Sequence, residues 1–157
     1  MTRIEVAYKA FVKTRFPLPT EKQVADLEAS LHIELPPDYR QFLLEYNGGF
    51  FTEPDIIPSD PDCPIDGLNN LGGIGASHRC AELGQPDHGY HPNWFDENDP
   101  PIILPIGYTL MGNLIYLVTE PQGRGVISLK KAYSNEAFDL ATGIEEFFSL
   151  LREPVDR

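Results

Sequence analysis

Residues 33–50 read IELPPDYRQFLLEYNGGF, and within them Tyr39, Phe42, Leu43 and Tyr46 fall at i, i+3, i+4 and i+7, the spacing of one face of an α-helix. Pro37 suits the first helical turn, whose N–H groups have no intrahelical acceptor, and Asp38 sets a negative charge beside the positive end of the helix dipole. Asn47 and Gly48 can take the left-handed conformation that closes a helix, and Gly49 turns the chain into a strand at residues 50–52. The same periodicity predicts three more helices. Thr2 opens the capping box TRIE ahead of Ile4, Tyr8, Phe11 and Val12, and Thr20 opens TEKQ ahead of Val24, Leu27 and Leu31. Thr142 opens TGIE, with Glu145 as capping partner, ahead of Ile144, Phe147, Phe148 and Leu151, and Pro154 stops that helix.

Strand patterns lie between these helices. Residues 102–104, 113–118 and 126–129 are short aliphatic runs bounded by Gly and Pro, and they read as a meander. The run in GNLIYLV is nearly continuous, which suggests a central strand covered on both sides. Helices at both ends of the sequence with strands between them predict an α+β domain. At 157 residues the chain has room for one domain with a sizeable core, spanning 1–157. Residues 53–101 differ in kind: eight prolines prevent long regular elements there, and a long acidic, Pro-rich loop region is expected.

LPPDYRQFLLEYNGG, preceded by DLEASLHIEL, resembles the signature of the SMI1/KNR4 (SUKH) superfamily. Further on, ILPIGYTLMGNLIYLV is similar to its paired central strands around a Gly-Asn or Gly-Asp turn, and TGIEEFFSLL to its closing helix. His32 stands near a position where many members carry glycine. The resemblance implies a twisted, largely antiparallel sheet with helices packed on it. It also implies a role: many bacterial members look like non-enzymatic immunity proteins that bind and silence a toxin domain of a polymorphic or contact-dependent system, often a nuclease. The fungal members point to an alternative, a regulatory or scaffold protein.

Charge sharpens this expectation. The formal net charge is −12, and residues 45–120 hold twelve acids against one base, Arg79, hence −11 for that stretch. Such a field repels nucleic acid and anionic membrane surfaces and speeds encounter with a basic protein. Its acids include Glu53, Asp55, Asp60, Asp62 and Asp66, followed by Asp87, Asp96, Glu97 and Asp99. Tyr90 and Trp94 stand among the later acids, and aromatics beside carboxylates on a loop are the composition of a protein-binding surface. These eleven residues are the candidate partner-binding set. In the bland alternative, Trp94 and Phe95 pin the loop onto the sheet and the acidity serves solubility.

Enzymatic and cofactor chemistry finds less support. Cys63, Cys80, His88 and His91 have the donor types of a zinc site but lack any C-x-x-C spacing, and nothing activates Cys80 beside His78, His88 or His91 as a nucleophile. GGIGAS at residues 72–77 is neither GxGxxG nor a P-loop, and reads as a turning connection. No catalytic residue, metal or cofactor is expected; an enzyme using the middle loops is the remaining alternative. No apolar run reaches the roughly 20 residues of a membrane span. Arg3, Glu5, Lys9 and Lys13 interrupt any secretory signal, so a cytoplasmic chain with reduced cysteines is expected.

Overall fold

The structure is a computed structural model describing residues 2–76, 81–83, 103–134 and 136–154. Helix α1 (Arg3–Phe11) starts from Thr2, whose hydroxyl accepts from the Glu5 N–H. Strand β1 (Val12–Thr14) follows directly, so Val12 leaves the predicted helix to pair with Phe51. Helix α2 (Glu21–Leu31) carries the full reciprocal capping box between Thr20 and Gln23. Helix α3 (Pro37–Glu45) begins at Pro37 and buries Tyr39, Phe42 and Leu43; Tyr46 is only half-buried at the margin of the core.

The strands are β2 (Gly49–Phe51), β3 (Asp55–Ile56), β4 (Asp66–Leu71), β5 (Ile103–Thr109), β6 (Leu114–Val118), β7 (Ile127–Lys130) and β8 (Ala137–Ala141). Helix α4 (Ile144–Ser149) and strand β9 (Leu151–Arg152) complete the described elements. The sheet runs β1-β2-β4-β5-β6-β7-β8 with every neighbouring pair antiparallel. The expected meander is therefore β5-β6-β7, extended by β8. Strand β6 lies between two partners, in keeping with its apolar run.

Besides Val12, two sequence expectations need correction. Residues 53–101 are not loop throughout, because β4 is an inner strand of the sheet. One end of it (Asp66, Gly67) pairs with β3 and the other (Asn70, Leu71) with β2, while β5 takes its opposite edge. The last helix also differs from the TGIE reading. Gly143 is its N-cap residue, Thr142 donates to Glu146, and Glu145 accepts from the Arg3 N–H. The helix ends at Ser149 well before Pro154, because Leu151 leaves to pair with Ile56 as strand β9.

Aromatic rings join the pieces. Tyr8 of α1, Phe42 of α3 and Phe148 of α4 have centroids 5.6–6.2 Å apart, and Phe51 of β2 lies 5.6 Å from Tyr8. Both ends of the sequence thus meet over one core, which is the physical content of the helical periodicities.

Candidate partner-binding surface

The NGG sequence after α3 has a structural purpose. Asn47 (φ 58°) and Gly48 (φ 77°) are left-handed, which lets the buried Asn47 side chain reach back across the fold. Its amide donates to the carbonyls of Pro17 and Ile74 at 2.7 and 2.9 Å and accepts from the Ile74 N–H at 2.9 Å. Tyr8 Oη donates to the Gly48 carbonyl at 2.8 Å. A Cβ at Gly73 would collide with the Asn47 carbonyl, so the first glycines of GGIGAS serve close backbone approach. The Ile74 amide is already satisfied by Asn47, consistent with a turning connection.

The candidate acids separate into two groups. Asp66 is fully buried: Oδ1 accepts from the Gly67 N–H at 2.8 Å and the Met111 N–H at 3.3 Å, and Oδ2 accepts from Asn113 Nδ2 at 2.9 Å. Asn113 in turn accepts from the Ala132 N–H through Oδ1 at 3.0 Å. A carboxylate taken out of water needs such donors, so Asp66 ties three turns together and does not present itself to a partner. Asp55 is buried as well, within the β3 pairing. Glu53 and Asp62 are exposed and Asp60 is half-buried. Asp87, Tyr90, Trp94, Asp96, Glu97 and Asp99 lie outside the described residues.

Around the Asp66–Asn113 pair stand side chains that sequence reasoning missed. The β5–β6 hairpin has the loop Leu110, Met111, Gly112, closed by a bond from the Thr109 N–H to the Asn113 carbonyl and turned at Gly112 (φ 81°). Leu110 and Met111 at its tip are 48% and 65% exposed. Ile65, next to Asp66, is 55% exposed, and Tyr133, next to Ala132, is wholly exposed. The signal was present in LMGN, since two large apolar residues at a hairpin tip break the usual polar turn.

The pattern of ion pairs bears on charge. Among the described residues the salt bridges use Glu21, Asp26, Glu28, Glu34 and Glu136 as their acids. All five lie outside residues 45–120, so Glu53, Asp60 and Asp62 enter none of them. A groove of about 520 Å³ between α1, α4 and β9, lined by Arg3, Val6, Ala7, Phe11, Phe148 and Arg152 among others, has the opposite character, with two guanidinium groups at its edge.

Of the possible metal and thiol groups, Cys63 is buried without a disulfide, and burial pushes its thiol pKa up, away from the reactive thiolate. Cys80, His78, His88 and His91 lie outside the described residues. Among the described residues no group of three or more His, Cys, Asp or Glu could hold a metal, and no helix is long and apolar enough to cross a membrane.

An antiparallel sheet braced by helices from both ends of the chain defines an α+β domain. The chain belongs to the SMI1/KNR4 family (SUKH-1), whose profile matches residues 18–150, most of its length. It is, at family level, an immunity-like or interaction protein. No curated protein and no solved structure matches it.

Proposed function

We propose that the protein is a non-enzymatic immunity protein that binds and neutralises a basic toxin domain, of nuclease type, from a bacterial polymorphic or contact-dependent system. The observation that carries this reading is the charge of residues 45–120, twelve acids against one base, with Glu53, Asp60 and Asp62 in none of the salt bridges among the described residues. A nuclease concentrates positive charge where it holds a polyanion, and such a stretch is its electrostatic complement. Neutralisation is by occlusion: charge sets a fast encounter and buried apolar anchors set slow release. Within the candidate set, Glu53, Asp60 and Asp62 contribute to the encounter, as do Asp87, Asp96, Glu97 and Asp99, and Tyr90 and Trp94 serve as anchors.

The test is capture of proteins from the producing cell, including those encoded beside the chain, with washes at low and then high salt. The captured protein is then assayed for nuclease activity with and without the chain. The reading predicts one basic domain, released by salt, whose activity falls to baseline at a one-to-one ratio. A captured partner that is acidic, or whose activity the chain leaves unchanged, contradicts it.

A further inference from the structure

We propose that the hairpin end of the sheet, where Ile65, Leu110, Met111 and Tyr133 stand exposed around the Asp66–Asn113 pair, is the docking surface for a basic protein partner. This rests on the binding role proposed above and assigns it a place. The four apolar residues come from three separate turns, yet each is within two positions of a backbone group fixed by the same buried pair. Met111 N–H bonds to Asp66, Ala132 N–H bonds to Asn113, and Leu110 N–H bonds to the Gly67 carbonyl at 2.7 Å. Their backbones are therefore held in place before binding, which reduces the ordering cost of association. Met and Tyr are also the residue types enriched at the centres of protein interfaces.

Charge selects the occupant. Glu53 is held beside the hairpin, since a Cβ built on Gly67 would lie 3.5 Å from both the Glu53 and the Leu110 Cβ atoms. It adopts a left-handed backbone (φ 62°) that non-glycine residues seldom take. Asp60 and Asp62 stand on the turn leading to Ile65, with the Asp62 N–H bonded to Asp60 at 2.9 Å. Two lysines stand beside Tyr133: Lys130 Nζ donates to the Lys131 and Ser134 carbonyls and keeps its charge, and Lys131 pairs with Glu136 at 3.8 Å, so the acids Glu53, Asp60 and Asp62 set the rim on the Ile65 side. An apolar centre with an acidic rim fits a partner carrying apolar side chains among Lys and Arg, whereas a second copy would bring acid against acid.

The experiment is an NMR titration of the 15N-labelled full chain with a synthetic peptide of alternating Lys and Leu, and with its Lys/Ser counterpart, each at low and high salt. The expected result is amide shifts centred on residues 65–67, 110–112 and 132–134, weakened by salt and weakened about thirtyfold when Ser replaces Leu, the scale of one interface hot spot. The double variant Met111→Ser, Tyr133→Ser should show the same loss while its thermal transition stays in place. The proposal is overturned by shifts centred elsewhere, by equal binding of the two peptides, or by peptide-independent shifts at these residues that grow with protein concentration and resist salt, the mark of a second copy. Because the peptide is not the toxin, shifts at the hairpin without toxin neutralisation reject only the toxin reading. Neutralisation with shifts centred elsewhere rejects only the placement.

Discussion

The Asp38 carboxylate accepts a hydrogen bond from the backbone N–H of Ile144, 106 residues further along the chain, at 3.4 Å. Its other oxygen accepts from the Tyr39 N–H at 2.8 Å, so one side chain serves the N-termini of both α3 and α4. Gly143 makes room for this, since a Cβ there would lie 2.7 Å from Asp38 Oδ2. The acid that the sequence pattern assigned to one helix dipole also replaces the capping box expected from Thr142 and Glu145.

Asp38→Ala therefore removes a cap from two helices. We expect a loss of about 1–2 kcal/mol, the upper part of the range for a single N-cap, in urea unfolding. Asp38→Asn, which keeps an acceptor oxygen, should recover more than half of it. A loss no larger than that of an ordinary exposed substitution would mean that the bond to Ile144 contributes nothing.

Two buried tyrosines make an opposed pair. Tyr8 Oη has its acceptor in the Gly48 carbonyl, whereas Tyr39 Oη is buried without a hydrogen-bond partner among the described residues. Tyr8→Phe should cost about 1–3 kcal/mol, because it leaves a carbonyl unsatisfied, and Tyr39→Phe should gain about 1 kcal/mol. Burial, the foremost cause in both, holds each hydroxyl above the ordinary tyrosine pKa of about 10. A raised folded value means that their contribution is complete below about pH 10 and declines as pH rises beyond it. The chain should lose stability in alkali, and Tyr39→Phe should soften that loss; an unchanged pH profile would contradict the assignment.

His32 and Asn47 share a left-handed backbone, with φ of 55° and 58°, but not a role. His32 closes α2 through its backbone, its N–H bonding to the Ala29 carbonyl, and its side chain is exposed. His32→Gly should relieve the left-handed strain, worth about 1 kcal/mol, less what glycine adds to unfolded-chain freedom. Asn47→Gly keeps the backbone and loses three hydrogen bonds, so it should cost at least about 2 kcal/mol. Thermal denaturation of the two variants should move in opposite directions, and movement in the same direction would refute the distinction.

Legibility in the sequence followed the range of the forces. Helices whose apolar stripe and end signals lie within a few residues, as in α2 and α3, were readable, and so was the meander built on aliphatic runs. Strand β4 was not: DGLNNL holds Gly, Asp and two Asn, residues depleted in strands, and it is ordered by partners along both edges. Asp66 looked like one more acid in an acidic run. Its burial depends on Asn113, 47 residues away, and nothing local distinguishes it from exposed Asp62. Leu110 and Met111 fell between the strands read at 102–104 and 113–118, and only the turn at Gly112 shows that they stand exposed at a hairpin tip.

The most direct test of the binding account is the association rate between the chain and the basic domain it captures, followed by stopped-flow across a salt series. The account predicts a rate that falls steeply with salt and drops about tenfold when Glu53 and Asp62 are reversed to Lys, with a flatter salt dependence and an unchanged thermal transition. Reversal at Asp96, Glu97 and Asp99 should act in the same sense. A rate indifferent to salt and to both sets of reversals would contradict it.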